Sequence, residues 1–266
     1  MNGEPALTTE VVVYNIESAL NAQKGGADRI ELCDNPGGGG TTPSLGTIEV
    51  LREALDISLF VMIRPREGDF CYSALEFKAM KRDIAHCKEL GVDGVVFGIL
   101  SPDGTLDRKR CGELVELARP LQVTCHRAFD MTKDPFAALG DCVESGFDRI
   151  LTSGQKARAL EGATLIGELV EKSRGRISIM AGCGVNEESV KEIVGSTGIN
   201  EIHLSAETTR ESLMEYKNPK IKGMGSTTGK EYVVSTVSAQ RVREICKNGL
   251  DAQKSSLPGI EENSQL

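Results

Sequence analysis

Leu121-Gln122-Val123-Thr124-Cys125-His126-Arg127-Ala128-Phe129-Asp130 is the stretch on which the fold turns. Its first half is apolar and β-branched and reads as a buried strand, Leu121 to His126. Its second half crowds His126, Arg127 and Asp130 at the carboxyl end of that strand, where ionisable groups are costly to desolvate. Two readings are open for them: ion pairing with nearby carboxylates, or contact with a ligand. Asp134 then offers an N-cap and Pro135 a first-turn residue, which predicts a helix from Asp134 to Ser145. Strand, charged loop and helix make one βα unit.

The unit recurs on both sides. Upstream, strands are expected at Glu10 to Tyr14, Asp28 to Cys33, Leu59 to Ile63 and Gly94 to Leu100, followed by helices at Ile16 to Lys24, Ser44 to Leu55, Ala74 to Leu90 and Asp107 to Ala118. Downstream come Asp148 to Thr152, Ile177 to Ala181 and Glu201 to Ser205, with helices near Lys156 to Lys172, Asn186 to Val194 and Ser238 to Lys247. Eight such alternations within about 250 residues predict a single-domain (β/α)8 TIM barrel over residues 9–250, in preference to a doubly wound sheet. Glu207 to Val237 is the one long connection, with Gly223, Gly225 and Gly229. Residues 251–266 read as a disordered polar tail.

In a barrel of this kind, sites form where strands end. Those positions hold Glu31 and Cys33 after the second strand, Arg64, Arg66 and Asp69 after the third, His126, Arg127 and Asp130 after the fifth, Thr152 and Ser153 after the sixth, and His203 and Ser205 after the eighth. Alternation sorts them. Arg29, Glu31 and Cys33 share one face and Ile30 and Leu32 the other, so the polar face points into the barrel. Glu201, His203 and Ser205 point inward on the same argument. Some of these charges must neutralise each other, Arg29 with Glu31 or Glu10 for example.

Gly182-Cys183-Gly184 follows the seventh strand, where many barrels cradle phosphate on backbone amides; the bland alternative is a tight turn, and Glu207 would oppose an anion. For a small anionic, possibly phosphorylated, ligand, Arg64 and Arg66 would clamp the anion, His126 would serve as acid or base, and Asp130 or Glu31 would orient it.

Charge and cysteine content set the remaining bounds. With 31 basic against 39 acidic residues, a net of −8, the chain lacks the footprint of a nucleic-acid or anionic-membrane binder. No apolar run is long enough to span a bilayer, and Met1 to Thr9 has no secretory pattern, so a soluble intracellular protein is expected. The eight cysteines are scattered without CxxC spacing, and free buried thiols in a reducing compartment are the simpler account. Cys33, Cys183 and Cys125 lie near the expected mouth and could offer Cu(I) soft donors, while Met62 and Met180 are read as core.

The motifs Gly26-Ala27-Asp28-Arg29-Ile30-Glu31-Leu32-Cys33, Gly39-Gly40-Thr41-Thr42-Pro43-Ser44, Ile63-Arg64-Pro65-Arg66 with Gly68-Asp69-Phe70, His126-Arg127-Ala128-Phe129-Asp130 and Leu151-Thr152-Ser153-Gly154 resemble those of the CutC family of copper homeostasis proteins. The resemblance runs in order from about Glu10 to the last helix. It implies a cytoplasmic (β/α)8 barrel, dimeric or tetrameric, linked to copper tolerance and binding Cu(I) through cysteine. Cys33 is the family cysteine retained here. Where members commonly carry another, in the first strand, this chain has Val11-Val12-Val13.

Overall fold

The computed structural model describes residues 7–221, 223–224 and 231–256. Eight parallel strands close on themselves: β1 (Thr8–Val13), β2 (Arg29–Leu32), β3 (Ser58–Met62), β4 (Gly94–Phe97), β5 (Gln122–Cys125), β6 (Arg149–Thr152), β7 (Ser178–Ala181) and β8 (Glu201–Leu204). β8 pairs with β1 in the register Thr8↔Glu201 to Val11↔Leu204, which completes the ring. The helices are α1 (Ile16–Gly25), α2 (Leu45–Ala54), α3 (Ala74–Glu89), α4 (Arg108–Ala118), α5 (Pro135–Ser145), α6 (Ala163–Ser173), α7 (Val190–Thr197) and α8 (Ala239–Ser256). The expected TIM barrel is the observed fold.

Strand parity divides the interior into two cores. Val11, Ile30, Val61, Val95, Val123, Ile150, Ile179 and Ile202 face the helices and build the large apolar shell. Inside the ring, Cys33, Phe60, Met62 and Val96 form a small cluster with Val12 and Tyr14. Beneath it the filling is ionic. Arg29 binds Glu10 and Glu201, Arg149 also binds Glu201, and both guanidiniums stack on Phe60, at 4.8 and 5.4 Å from its ring centre. Two cations against two carboxylates leave this layer balanced, the condition for burying charge. Gly94 makes room for it, since a Cβ there would lie 2.5 Å from the Phe60 ring.

Four expectations are corrected. The helix expected from Lys156 begins only at Ala163, because Gly154 and Gln155 adopt left-handed backbone and Ser153 Oγ donates to the Lys156 carbonyl, turning the chain across the mouth first. The helix expected from Asn186 begins at Val190: the Asn186 side chain accepts from the amides of Glu188 and Ser189, which fixes a turn instead. Within the long connection, β9 (Glu207–Glu211) and β10 (Val233–Val237) pair antiparallel; Gly225 and Gly229 lie outside the described residues. The last helix extends to Ser256, with Leu250 packed on the core and the amide of Leu7 donating to Gln253, so residues 251–256 are not the start of a disordered tail. Residues 257–266 lie outside the described residues.

Candidate functional site

The loops at the carboxyl ends of the strands enclose a cavity of about 460 Å³. Backbone strain gathers around it. Among the described residues, the non-glycine residues in left-handed backbone are Asn35, Gln155, Cys183 and Ala206, all in mouth loops, and Arg174 at the far end. Such conformations cost energy that the surrounding structure must offset, and they concentrate at functional faces.

Glu31, Cys33, Arg64, His126, Arg127, Gly184, His203 and Ser205 all line the cavity, as the strand-end reading expects. Each arrives there for a local reason. Glu31 is the inward residue near the end of β2, and His203 its counterpart on β8. His126 follows β5 and caps a short turn, Nδ1 accepting from the Ala128 amide at 3.2 Å. Arg64 leaves β3 and donates through Nη1 to the carbonyls of Gly38 and Gly40 and through Nη2 to that of Gly68, each at 2.8 Å, lying over the Phe70 ring.

A hydrogen-bonded row runs along the cavity floor. His203 Nδ1 donates to Glu10 Oε1 at 2.7 Å, its Nε2 stands 3.9 Å from Glu31 Oε2, and Cys33 Sγ donates to the same oxygen at 3.5 Å. Burial works against the charge on Glu10, yet Arg29 and His203 hold its carboxyl down at about 2. For Glu31 burial wins: it pushes the carboxyl up to about 7, with His203 opposing and the Glu10 charge reinforcing the rise. Burial also resists protonation of His203, but its bond to Glu10 and the neighbouring Glu31 raise it above the ordinary histidine value. His126 goes the other way. Burial, then the charge of Arg64, push it down to about 3, so the ring is neutral at pH 7. Since its Nδ1 accepts a hydrogen bond, the proton sits on Nε2.

Three buried polar atoms on this wall have no hydrogen-bond partner, Glu31 Oε1, His126 Nε2 and Arg64 Nε. Leaving them so costs about 1–3 kcal/mol each, which structures tolerate where a ligand satisfies them. Arg64 is the third unusual group. Arg127 pairs with Asp130 and Arg241 with Glu187, but among the described residues Arg64 has no carboxylate partner and lies against carbonyls, the Phe70 ring and the Tyr72 side chain.

The structure does not bring the other expected residues into the cavity. Arg66 spends its donors on its own loop, on Asp69, Glu76 and the carbonyls of Glu67, Asp69 and Cys71. Asp69 is exposed beside it. Asp130 turns away from His126 and accepts from Thr152 Oγ1, the Ser153 amide and hydroxyl, the Gln155 amide and Arg127, tying the β5 and β6 loops together. Thr152 and Ser153 are therefore braces.

Gly182 packs under Leu151 and His203, and the amides of Gly182, Asn186, Glu188 and Ser189 already have protein acceptors. Those four amides are therefore not free to cradle a phosphate. Cys125 faces outward on β5 in the helix-facing core, away from the mouth. Cys183 lines the cavity, donating to the Ala157 carbonyl at 3.0 Å.

Sequence reasoning missed Tyr14, Met62, Phe70, Asn186 and Arg241 in the lining. Tyr14 ends the first expected strand, so the strand-end rule could have found it. Arg241 comes from α8, with no local signal.

Comparison with known proteins agrees with this architecture. A sequence model of the CutC family matches residues 7–208. A Homo sapiens protein named copper homeostasis protein cutC homolog is 46% identical over 236 residues, covering 89% of this chain and 86% of that protein. A CutC-named protein of Chromobacterium violaceum is 45% identical over 236 residues, covering 89% and 95%. Among solved structures, a CutC protein from Streptococcus agalactiae superposes with a TM-score of 0.72 at 35% identity, over 75% of this chain and 98% of the other. A family match over residues 7–208, with relatives 45–46% identical over most of the chain, places this chain in the CutC family.

Proposed function

We propose that the protein binds a small organic anion in the barrel mouth and performs acid–base chemistry on it. The observation that carries this reading is the set of three unpartnered atoms on the cavity wall, Glu31 Oε1, His126 Nε2 and Nε of Arg64, whose buried guanidinium has no carboxylate partner among the described residues. Arg64 supplies the charge for the anionic group. Neutral His126 donates a hydrogen bond from Nε2. Glu31, with a carboxyl that titrates near neutral pH and a second oxygen facing His203, is the group suited to take and return a proton. Compared with the sequence reading, Arg66 and Asp130 leave the machinery and Glu31 becomes its centre.

Copper is the second reading, favoured by the names of the relatives and by Cys33 lying with Met62 around Gly40. A thiol and a thioether are soft donors suited to Cu(I), but the ligand must be the thiolate. Burial, then Glu31, push the Cys33 thiol well above its ordinary value. Among the described residues no three His, Cys, Asp or Glu side chains gather to hold a metal ion. The residues at the mouth do not fit a resident copper centre. The cytoplasmic location and the homo-oligomer implied by the family resemblance stand as part of this proposal.

The test is a screen of carboxylated and phosphorylated metabolites with wild type, Arg64→Lys and Glu31→Gln, following binding by calorimetry and turnover by NMR. Wild type should bind and convert at least one compound; Arg64→Lys should weaken binding at least tenfold, and Glu31→Gln should bind without turnover. Binding unaffected by Arg64→Lys sinks the anion site, and turnover that survives Glu31→Gln sinks the chemistry.

A further inference from the structure

A second cavity, of about 310 Å³, lies between the barrel and the β9–β10 hairpin. It shares Val12, Tyr14 and Ser205 with the first, so the two adjoin at Tyr14. Their walls differ in kind. In the first, buried polar atoms stand without partners. In the second, Asn15, Ser235 and Glu207 are committed to one another: Asn15 Nδ2 donates to the Ser235 carbonyl at 2.9 Å, Ser235 Oγ donates to Glu207 at 2.9 Å, and the Asn15 side chain also accepts from the Ser18 amide at 2.8 Å. The rest of the wall is mostly aliphatic, Val13, Val233, Val234, Val237 and Pro36, with Tyr14 and Ser205 at the border with the first cavity.

We propose that this second cavity is a subsite for an apolar arm of the ligand whose anionic head lies at Arg64, so that the protein's natural substrates are amphipathic organic anions. The inference rests on the reading of the charged cavity as an anion site. It follows from how the two walls are finished. A wall with unmet donors and acceptors selects a polar group. One whose polar atoms are already paired gains only from excluding water, and gains in proportion to the apolar area covered. The volume is at the lower end of what small-molecule sites use, enough for a short alkyl chain or a single ring. The hairpin supplies the outer wall of this subsite alone, so substrate length is set by β10 and substrate charge by the barrel.

The probe is the series of methyl, propyl, butyl and hexyl phosphate, with Kd measured by calorimetry on wild type, Val233→Trp and Val234→Asp. Affinity in wild type should rise roughly two- to fourfold per methylene, since one buried methylene is worth about a factor of four. Val233→Trp fills the space and Val234→Asp makes its wall polar, and each should flatten the dependence on chain length. A flat dependence in wild type overturns the subsite, whether a second copy of the chain or another segment covers that wall instead. An equal slope in wild type and both variants overturns it too. If methyl phosphate itself fails to bind, the anion reading of Arg64 falls and takes the subsite with it; if methyl phosphate binds and the slope is absent, the subsite alone falls.

Discussion

His203 donates from Nδ1 to Glu10 at 2.7 Å, joining the last strand of the barrel to the first through two buried side chains. Glu10 is also the partner of Arg29, so one carboxylate neutralises a guanidinium and positions an imidazole. Glu10→Gln would leave Arg29 with Glu201 alone and remove the charge that supports protonated His203. Breaking one partner of a buried pair costs about 3–5 kcal/mol. Urea unfolding at pH 7 should show a loss of that order with the m-value unchanged; a loss below about 1 kcal/mol would mean that the network is not what holds the barrel floor.

Glu31 ties stability to pH with the opposite sign from an ordinary carboxylate. Its carboxyl lies at about 7 in the folded chain against the usual 4.5. Between those values the folded state binds a proton that the unfolded state has released, so stability from this group is full below the lower value and is lost as pH rises through the upper. Glu31→Gln removes the penalty. The variant and wild type should be of similar stability near pH 4.5, and the variant the more stable by about 3 kcal/mol above pH 7. Unfolding curves that stay parallel from pH 4.5 to 8 would refute the buried, raised carboxyl.

Gly98 sits behind His126. A Cβ at that position would lie 2.9 Å from both His126 Nδ1 and the Ala128 methyl, so Gly98→Ala must displace the imidazole or the turn it caps. Overpacking of this kind costs about 1–3 kcal/mol in stability. The ligand site should suffer more: methyl phosphate affinity should drop by at least tenfold while the protein remains folded by circular dichroism. Unchanged affinity would show that His126 does not touch the ligand.

Cys33 offers the copper test. With the thiol held protonated and no second thiolate beside it in the cavity cluster, Cu(I) binding at this position should be no tighter than micromolar, measured by competition with a chromophoric chelator. Cys33→Ala should leave the competition curve where it was. A large weakening on that substitution would restore a copper site at the mouth.

The barrel was readable because each unit carries its own punctuation. Asp134 caps α5 as expected, accepting from the amides of Phe136 and Ala137, and Gly146 closes the same helix in left-handed backbone. Strand parity correctly sent Arg29, Glu31, Glu201 and His203 inward, and the Arg29–Glu10 pair was among those expected. Parity failed where strands stop. Arg64 and Arg66 are two apart, yet β3 ends at Met62, and the loop returns Arg66 to Glu76 at the start of α3. Asp130 is similar: nothing local says that its partners are Thr152 and Ser153, one strand further on. The β9–β10 pairing was hidden by the 21 residues between the strands, since register across such a gap is set by tertiary contact rather than local turn chemistry.

The ionic floor has a bearing on how the barrel is assembled. Divide the chain between α4 and β5, and the leading fragment keeps Glu10 with Arg29 while the trailing one keeps Arg149 with Glu201. Each half would hold one guanidinium–carboxylate pair of its own, with Arg29–Glu201, His203–Glu10 and the stacking of Arg149 on Phe60 as the stitches between them. Each fragment would thus bring to the seam a guanidinium–carboxylate pair already formed, and the protein can be regarded as an internal heterodimer whose seam happens to be covalently joined.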